Sequence, residues 1–143
     1  MPAPKLKFVL IGCGYIGKRY VQLLSQHTQC ELAALIDTDS NCFLEFNNLN
    51  IPVFHSEETY FASGIYADAA VVATPNGTHA AVATAALAHG LHVLIEKPMA
   101  LNTRDAEAII QTAKNRNKKA AVVLQNRFSP VSIWLKEIVE SKK

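Results

Sequence analysis

Cysteine, net charge and long apolar runs are all scarce in this sequence. Its three cysteines are widely spaced and form no C-x-x-C pair, which argues against a disulfide framework or a zinc site and indicates a reducing, cytoplasmic location. The net charge is only +2 and the basic residues are scattered, so neither a nucleic acid nor a membrane surface is expected as a partner. Pro75, Gly77 and Gly90 interrupt the hydrophobic stretch 67–95, which therefore lacks the ~20 uninterrupted apolar residues of a membrane span.

What the sequence does contain is an alternation of strand and helix patterns over a length typical of one domain. Half of the 143 residues are hydrophobic and 18% are charged, a composition typical of a folded globular protein. Strands are predicted over residues 5–11, 31–37, 53–54, 68–73, 91–95 and 120–124. Helices are predicted over residues 15–27, 57–62, 78–89, 103–117 and after Pro130, with a weaker helical segment at 41–48. This order predicts an α/β fold with a doubly wound, mostly parallel six-stranded sheet in the strand order 3-2-1-4-5-6.

The helix predicted over residues 103–117 has a clear amphipathic pattern. Ala106, Ile109, Ile110 and Ala113 recur at helical spacing, so we expect these four side chains to form its buried stripe. Thr103 stands where such a helix begins, and its hydroxyl is expected to cap the first turn.

A glycine-rich loop, residues 12–17, connects the first predicted strand to the helix after it. Gly12 allows the tight turn off the strand, and Gly14 lets the backbone approach a pyrophosphate closely because it has no Cβ atom. Gly17 lets the helix pack closely on the sheet, and free N–H groups at the helix start can then bind the phosphate charge. Cys13 is interpreted as a filler in this loop and not as a reactive thiol. In this context the loop is the dinucleotide-binding fingerprint of a Rossmann domain.

Asp37 closes the second predicted strand, 20 residues after Gly17. A carboxylate here accepts hydrogen bonds from both adenosine ribose hydroxyls of NAD and repels the 2′-phosphate of NADP. Because no arginine or lysine lies nearby to bind that phosphate, NAD is predicted in preference to NADP. The alternative is that Asp37 merely starts the next helical segment, which Asp39 or Ser40 could cap equally well.

The unusual polar clusters of the chain follow the carboxyl ends of predicted strands, where ligands bind in sheets of this kind. Residues 74–79 follow the fourth strand, and residues 125–127 follow the sixth. The first of these clusters has a simpler interpretation as well. Asn76 or Thr78 could cap the helix that follows, and His79 could be an ordinary surface residue.

The charged pair Glu96 and Lys97 closes the fifth predicted strand and precedes Pro98. Charges at the end of a buried strand are costly unless they have partners or a ligand. Lys97 is therefore expected to point toward the nicotinamide of the cofactor and to hydrogen-bond a substrate hydroxyl. Pro98 would fix the turn, and its peptide bond could be cis. The alternative is a solvent-exposed ion pair between the two charges.

Together with Asp37, the segments GCGYIG (12–17), ATPNGTH (73–79), EKPMA (96–100) and QNRFSP (125–130) resemble the N-terminal domain of the Gfo/Idh/MocA oxidoreductases. The EKP triplet at the end of the fifth strand is the most specific of these motifs, and the resemblance covers essentially the whole chain. The last segment and the helix after it are most similar to members that act on nucleotide-activated amino sugars, such as UDP-N-acetylglucosamine or UDP-N-acetylglucosaminuronate 3-dehydrogenases.

The resemblance implies an NAD-dependent oxidoreductase, with NADP as the less favoured cofactor, that acts on a secondary alcohol of a sugar, nucleotide sugar or cyclitol. It also implies a homo-oligomer without a metal. The residues that it assigns to cofactor binding are Gly12, Gly14, Tyr15, Ile16, Asp37, Thr74, Pro75, Asn76, His79, Glu96, Lys97, Gln125 and Arg127. Lys97 is the implied catalytic residue as well, because it would touch the substrate.

Members of this family normally continue into a second, mixed α/β domain that supplies a catalytic histidine and most of the sugar pocket. Residues 1–143 are therefore interpreted as one dinucleotide-binding domain of an incomplete enzyme, which binds NAD but turns over little or no substrate. Two other interpretations stay open. They are a stand-alone NAD-binding or redox-sensing module, and a methyltransferase with a similar glycine loop. The three-glycine spacing and the EKP triplet favour the dinucleotide interpretation.

Overall fold

The computed structural model describes residues 4–141, and these residues alternate between strand and helix as the sequence predicts. The strands are β1 (Leu6–Ile11), β2 (Cys30–Ile36), β3 (Val53–Phe54), β4 (Ala69–Val72), β5 (His92–Ile95) and β6 (Ala120–Val122). The α-helices are α1 (Tyr15–Gln26), α2 (Glu57–Ala62), α3 (His79–Ala88), α4 (Thr103–Asn115) and α5 (Pro130–Ser141). Three 3₁₀ segments cover Ser40–Leu49, Asn76–Thr78 and Gln125–Phe128.

The six strands form one parallel sheet in the order β3-β2-β1-β4-β5-β6, which confirms the predicted topology. Ile11 lies opposite Ile36 of β2 and Val72 of β4, and Val72 lies opposite Ile95 of β5. The segments that follow these four strands therefore leave the sheet side by side along one edge. The strand order reverses between β1 and β4, and a crevice for ligands forms at such a switch point.

Both faces of the sheet are buried, because successive side chains of each strand point to opposite faces. Val9 belongs to the core cluster on one face, which includes Ile109 of α4. Leu10 belongs to the cluster on the other face, together with Val21 of α1 and Phe43 of the 3₁₀ segment Ser40–Leu49. The nearly continuous apolar sequences of the central strands follow from this double coverage.

The start and the buried stripe of α4 differ from the prediction. Asn102 caps the helix, since its Oδ1 atom accepts a hydrogen bond from the Asp105 backbone N–H at 2.9 Å, so the prediction of Thr103 as cap was wrong. Ile109 and Ala113 are buried as predicted, whereas Ile110 is 45% exposed. The next residue of a helix is rotated by about 100°, which carries Ile110 past the edge of the buried face.

The last helix, α5, has no buried residue along its described length. Trp134 and Val139 are 59% and 72% exposed, and the helix contacts the 3₁₀ segment Gln125–Phe128 that precedes it. Along residues 4–141, none of the helices combines the length and apolar character required to cross a bilayer.

Replacement of the α4 cap tests the corrected helix start. We expect Asn102→Ala to lower the free energy of unfolding by about 1 kcal/mol, because the Asp105 N–H then loses its side-chain acceptor. Thr103→Ala is the matched control and should change stability by less than about 0.5 kcal/mol. Urea unfolding followed by circular dichroism measures both, and a larger loss for Thr103→Ala would contradict the assignment.

Candidate functional site

The glycine loop begins with a backbone conformation and a close contact that only glycine permits. Gly12 has a φ of +95°, a left-handed value that other residues rarely adopt. A Cβ atom on Gly12 would lie 2.5 Å from the carbonyl carbon of Ala73, directly after β4. The turn off β1 therefore passes against the end of β4, as the switch-point geometry requires.

Gly17 and Gly14 have different roles in this loop. A Cβ atom on Gly17 would lie 2.1 Å from the Gly12 carbonyl oxygen, so Gly17 lets α1 pack closely against the end of β1. A Cβ atom on Gly14 would meet nothing within 4 Å, which leaves open space before the first turn of α1. Gly14 is also the N-cap of α1 and offers no capping side chain, so the amides of the first turn are available to an anion. Tyr15 and Ile16, on this first turn, are both exposed.

Asp37 is bound to the glycine loop. Its Oδ2 atom accepts a hydrogen bond from the Cys13 backbone N–H at 2.7 Å, and its Oδ1 atom accepts one from the Asp39 N–H at 2.9 Å. An ionised carboxylate has about four acceptor positions, so further acceptor capacity remains for a ligand hydroxyl. The 3₁₀ segment that follows is capped by Asp39, one of the two predicted caps, which accepts from the Asn41 N–H, and the ribose role of Asp37 stays a prediction.

The two cysteines nearest to Asp37 are held in the thiol form. Burial, and secondly the Asp37 carboxylate, raises the pKa of Cys13 to about 12. Burial and the carboxylates of Asp37 and Asp39 also raise the pKa of Cys42 above its ordinary value. Cys13 is fully buried and is therefore protonated at neutral pH, which agrees with its interpretation as a filler.

The loop after β4 is held together by side chains of its own. The Thr78 hydroxyl oxygen lies 2.8 Å from Thr74 Oγ1 and 2.8 Å from the Pro75 carbonyl oxygen. Thr78 stands at the N-cap of α3 but makes no capping hydrogen bond, so its capping role was predicted wrongly. Pro75 and Asn76 are exposed on this loop, and Thr74 is half-buried, directly beside the glycine loop at Gly12.

His79 is buried and joins two loops. Its ring is 1% exposed, which excludes the alternative of an ordinary surface residue. Nε2 lies 2.7 Å from the carbonyl oxygen of Thr74, and Nδ1 lies 2.7 Å from the carbonyl oxygen of Pro98. Both distances are within hydrogen-bonding range, so the ring contacts the loop after β4 on one side and the segment after β5 on the other. Neither nitrogen is free for a cofactor unless one of these contacts opens.

The segment after β5 presents Lys97 to solvent. Lys97 is exposed, and the Lys97–Pro98 peptide bond is cis, which agrees with the prediction for Pro98. The ion pairs among residues 4–141 do not include one between Glu96 and Lys97, so the exposed ion pair predicted as an alternative is not formed. Glu96 instead accepts a hydrogen bond on Oε1 from the hydroxyl of Tyr20 at 2.7 Å.

Tyr20 is a site residue that the sequence reasoning missed. Burial, and secondly the hydrogen bond to Glu96, raises the pKa of Tyr20 above its ordinary value, so the phenol remains a donor at neutral pH. One signal could have identified it. A tyrosine within the apolar stripe of a helix usually has a hydrogen-bond partner for its hydroxyl, which phenylalanine or leucine would not need.

Gln125 and Arg127 lie further from the switch point than the other predicted residues. Both are exposed on the 3₁₀ segment that follows β6, the edge strand. Two strands separate them from β1, whereas the loop after β4 is directly adjacent to it. Their assignment to cofactor binding stays a prediction.

Comparisons with known proteins agree with the observed fold. The model of the family GFO_IDH_MocA, described as an oxidoreductase family with an NAD-binding Rossmann fold, matches residues 6–124. UDP-N-acetylglucosamine 3-dehydrogenase from Acidithiobacillus ferrooxidans is 33% identical over 90% of this chain and 40% of its own length. The NADP(+)-dependent scyllo-inositol 2-dehydrogenase IolU from Bacillus subtilis is 29% identical over 87% of this chain and 38% of its own length.

A solved structure shows the same fold. The WlbA dehydrogenase from Bordetella pertussis, in complex with NADH and UDP-GlcNAcA, superposes with a TM-score of 0.90 and 31% sequence identity. The alignment covers 96% of this chain and 42% of the WlbA chain. The chain therefore spans about 40% of the length of the relatives that it matches.

The contrast between two glycines tests the loop geometry. We expect Gly17→Ala to lower the free energy of unfolding by about 2–3 kcal/mol, because its Cβ atom would overlap the Gly12 carbonyl, which is backbone and cannot rotate away. Gly14→Ala is the matched control and should leave stability within about 0.5 kcal/mol of the parent chain. Thermal and urea unfolding without added ligand measure both, and equal losses would contradict the packing described for Gly17.

Proposed function

Because the chain belongs to the Gfo/Idh/MocA oxidoreductases, whose shared domain is an NAD-binding Rossmann fold, we propose that it binds NAD at the β1–β4 switch point. The proposal rests above all on the bond between the Asp37 carboxylate and the Cys13 amide. That bond holds the Asp37 carboxylate, which we assign to the ribose hydroxyls, beside an uncapped helix start that we assign to the pyrophosphate.

The residues around the switch point fit such a cofactor. The open space at Gly14 admits the pyrophosphate against the first turn of α1, with Gly12, Tyr15 and Ile16 around it. Thr74, Pro75 and Asn76 lie next along the edge of the sheet, and we assign them to the middle of the dinucleotide. Glu96 and Lys97 follow at the end of β5, and we assign them to its nicotinamide end, with Gln125 and Arg127 as outer contacts.

We further propose a hydride-transfer reaction on a secondary alcohol of a sugar, nucleotide sugar or cyclitol. When bound, the cofactor supplies the hydride acceptor or donor. Among the residues of this chain, Lys97 is the one that we assign to the reaction. Its exposed Nζ group can donate a hydrogen bond to the reacting hydroxyl and hold it in place. The names of the matched dehydrogenases, which act on UDP-N-acetylglucosamine and scyllo-inositol, support this substrate class.

The chain covers about 40% of the length of its relatives, so we propose only part of their activity for it. We propose that residues 1–143 act as one dinucleotide-binding domain that binds NAD and turns over little or no substrate. We also propose a cytoplasmic homo-oligomer as the working enzyme, on the basis of the few cysteines and the family resemblance.

Calorimetric titration of the chain tests the cofactor assignment. We expect NAD to bind, NADP to bind more weakly, and S-adenosylmethionine not to bind, because the site joins a pyrophosphate-binding helix start to a ribose-binding carboxylate. Binding of S-adenosylmethionine more tightly than either dinucleotide would contradict the proposed function.

The choice between NAD and NADP depends on the charge of Asp37. We expect Asp37→Ala to narrow the ratio of NAD to NADP affinity, because the carboxylate that repels the 2′-phosphate is removed. The ratio is the proper measure, since the variant also loses the bond to Cys13 and should bind both dinucleotides less well. Asp39→Asn, which keeps a capping side chain, is the matched control and should preserve the ratio. An unchanged ratio in Asp37→Ala would remove Asp37 from the ribose assignment.

A further inference from the structure

The two neighbours of Lys97 in the chain are each held by a side chain from a distant helix. Glu96 accepts the hydrogen bond of Tyr20 from α1, and the Pro98 carbonyl lies against the ring of His79 from α3. We propose that His79 and Tyr20 are positioning residues that together fix the backbone of Lys97, and through it the Lys97 amine, at the nicotinamide end of the site. This inference rests on the proposed function of Lys97.

The burial of His79 indicates a specific task for its ring. An imidazole that is 1% exposed is costly to bury unless its nitrogens are hydrogen-bonded, and a leucine of similar volume would fill the same space without that cost. The two partners of the ring lie on different loops, since Thr74 follows β4 and Pro98 follows β5. The ring therefore contacts both of the loops between which the dinucleotide would extend.

Tyr20 acts on the other side of Lys97. Its ring packs against the core cluster around Leu10, and its hydroxyl reaches the Oε1 atom of Glu96. The second oxygen of that carboxylate, Oε2, accepts a hydrogen bond from the Lys97 backbone N–H at 3.3 Å. A continuous chain of contacts thus connects α1 to the peptide unit of Lys97.

The position of the Lys97 amine depends on the backbone that carries it. Lys97 itself is exposed, so its side chain has no packing of its own that would direct the amine to one place. A fixed backbone on both sides limits where the base of this side chain lies, and a group that must meet a reacting hydroxyl depends on placement within about 0.5 Å. The Tyr20–Glu96 hydrogen bond and the His79–Pro98 contact supply that placement from α1 and α3.

The test compares NAD with ADP, which carries the adenosine and both phosphates but lacks the nicotinamide riboside. We expect His79→Leu and Tyr20→Phe each to weaken NAD binding by about threefold to tenfold, the range that one or two lost hydrogen bonds produce. ADP binding should change by less than about twofold, because the glycine loop and Asp37 are untouched. Calorimetric titration of the 143-residue chain measures both ligands.

Two matched controls lie at the amino ends of the strands, away from the proposed site. His92 begins β5 and accepts a hydrogen bond on Nδ1 from the Lys119 N–H, and Tyr66 donates to a carboxylate oxygen of Asp68. His92→Leu and Tyr66→Phe therefore remove the same kinds of bond away from the site. We expect neither control to alter the ratio of NAD to ADP affinity.

A double-mutant cycle shows whether the two residues act through Lys97. In a Lys97→Met background, His79→Leu and Tyr20→Phe should weaken NAD binding no further, because the group that they position is gone. Losses that simply add would overturn the proposal, as would equal losses of NAD and ADP affinity in the single variants. Should His79→Leu fail to fold, Tyr20→Phe decides the question, since it keeps the aromatic ring in place. Absence of NAD binding by the parent chain would overturn the proposed function, whereas NAD binding that neither variant affects overturns only the positioning role.

Discussion

The end of β1, the start of α1 and the end of β4 approach each other at Gly12 too closely for any side chain to fit between them. The hypothetical Cβ atom of Gly12 would overlap the backbone after β4, and that of Gly17 would overlap the Gly12 carbonyl. This contact holds the helix start directly over the point where the strand order reverses. The uncapped amides of α1, the loop after β4 and the carboxylate after β2 lie next to one another at the carboxyl ends of the strands because of it.

Beyond the last ladder hydrogen bonds of the sheet, the loops are joined by side chains. Asp37 connects the segment after β2 to the loop after β1, and His79 connects the loops after β4 and β5. Glu96 connects the segment after β5 back to α1 through Tyr20. Three sets of side-chain hydrogen bonds thus join neighbouring segments at the carboxyl ends of the strands.

The sequence predicted the features that depend on local pattern and missed those that depend on distant contacts. Strand order and most element bounds followed from apolar periodicity and the right-handed crossover rule. Local pattern did not fix the rotation of α4, and Ile110 lies outside its buried face for that reason. The burial of His79 and the role of Tyr20 depend on Pro98 and Glu96, which are 19 and 76 residues away, and a periodicity argument contains no such pairing.

The protonated cysteines give the molecule a practical property. Thiol-directed dyes react with thiolates, and burial and nearby carboxylates suppress the thiolate at Cys13 and Cys42, the two cysteines nearest to Asp37. The third cysteine, Cys30, begins β2 at the opposite end of the strand from Asp37 and, like Cys42, is partly buried. A maleimide fluorophore added at neutral pH is therefore expected to react slowly at the two positions beside Asp37. Cys30 lies at the other end of the strand, so a label attached there would leave the proposed cofactor site unoccupied.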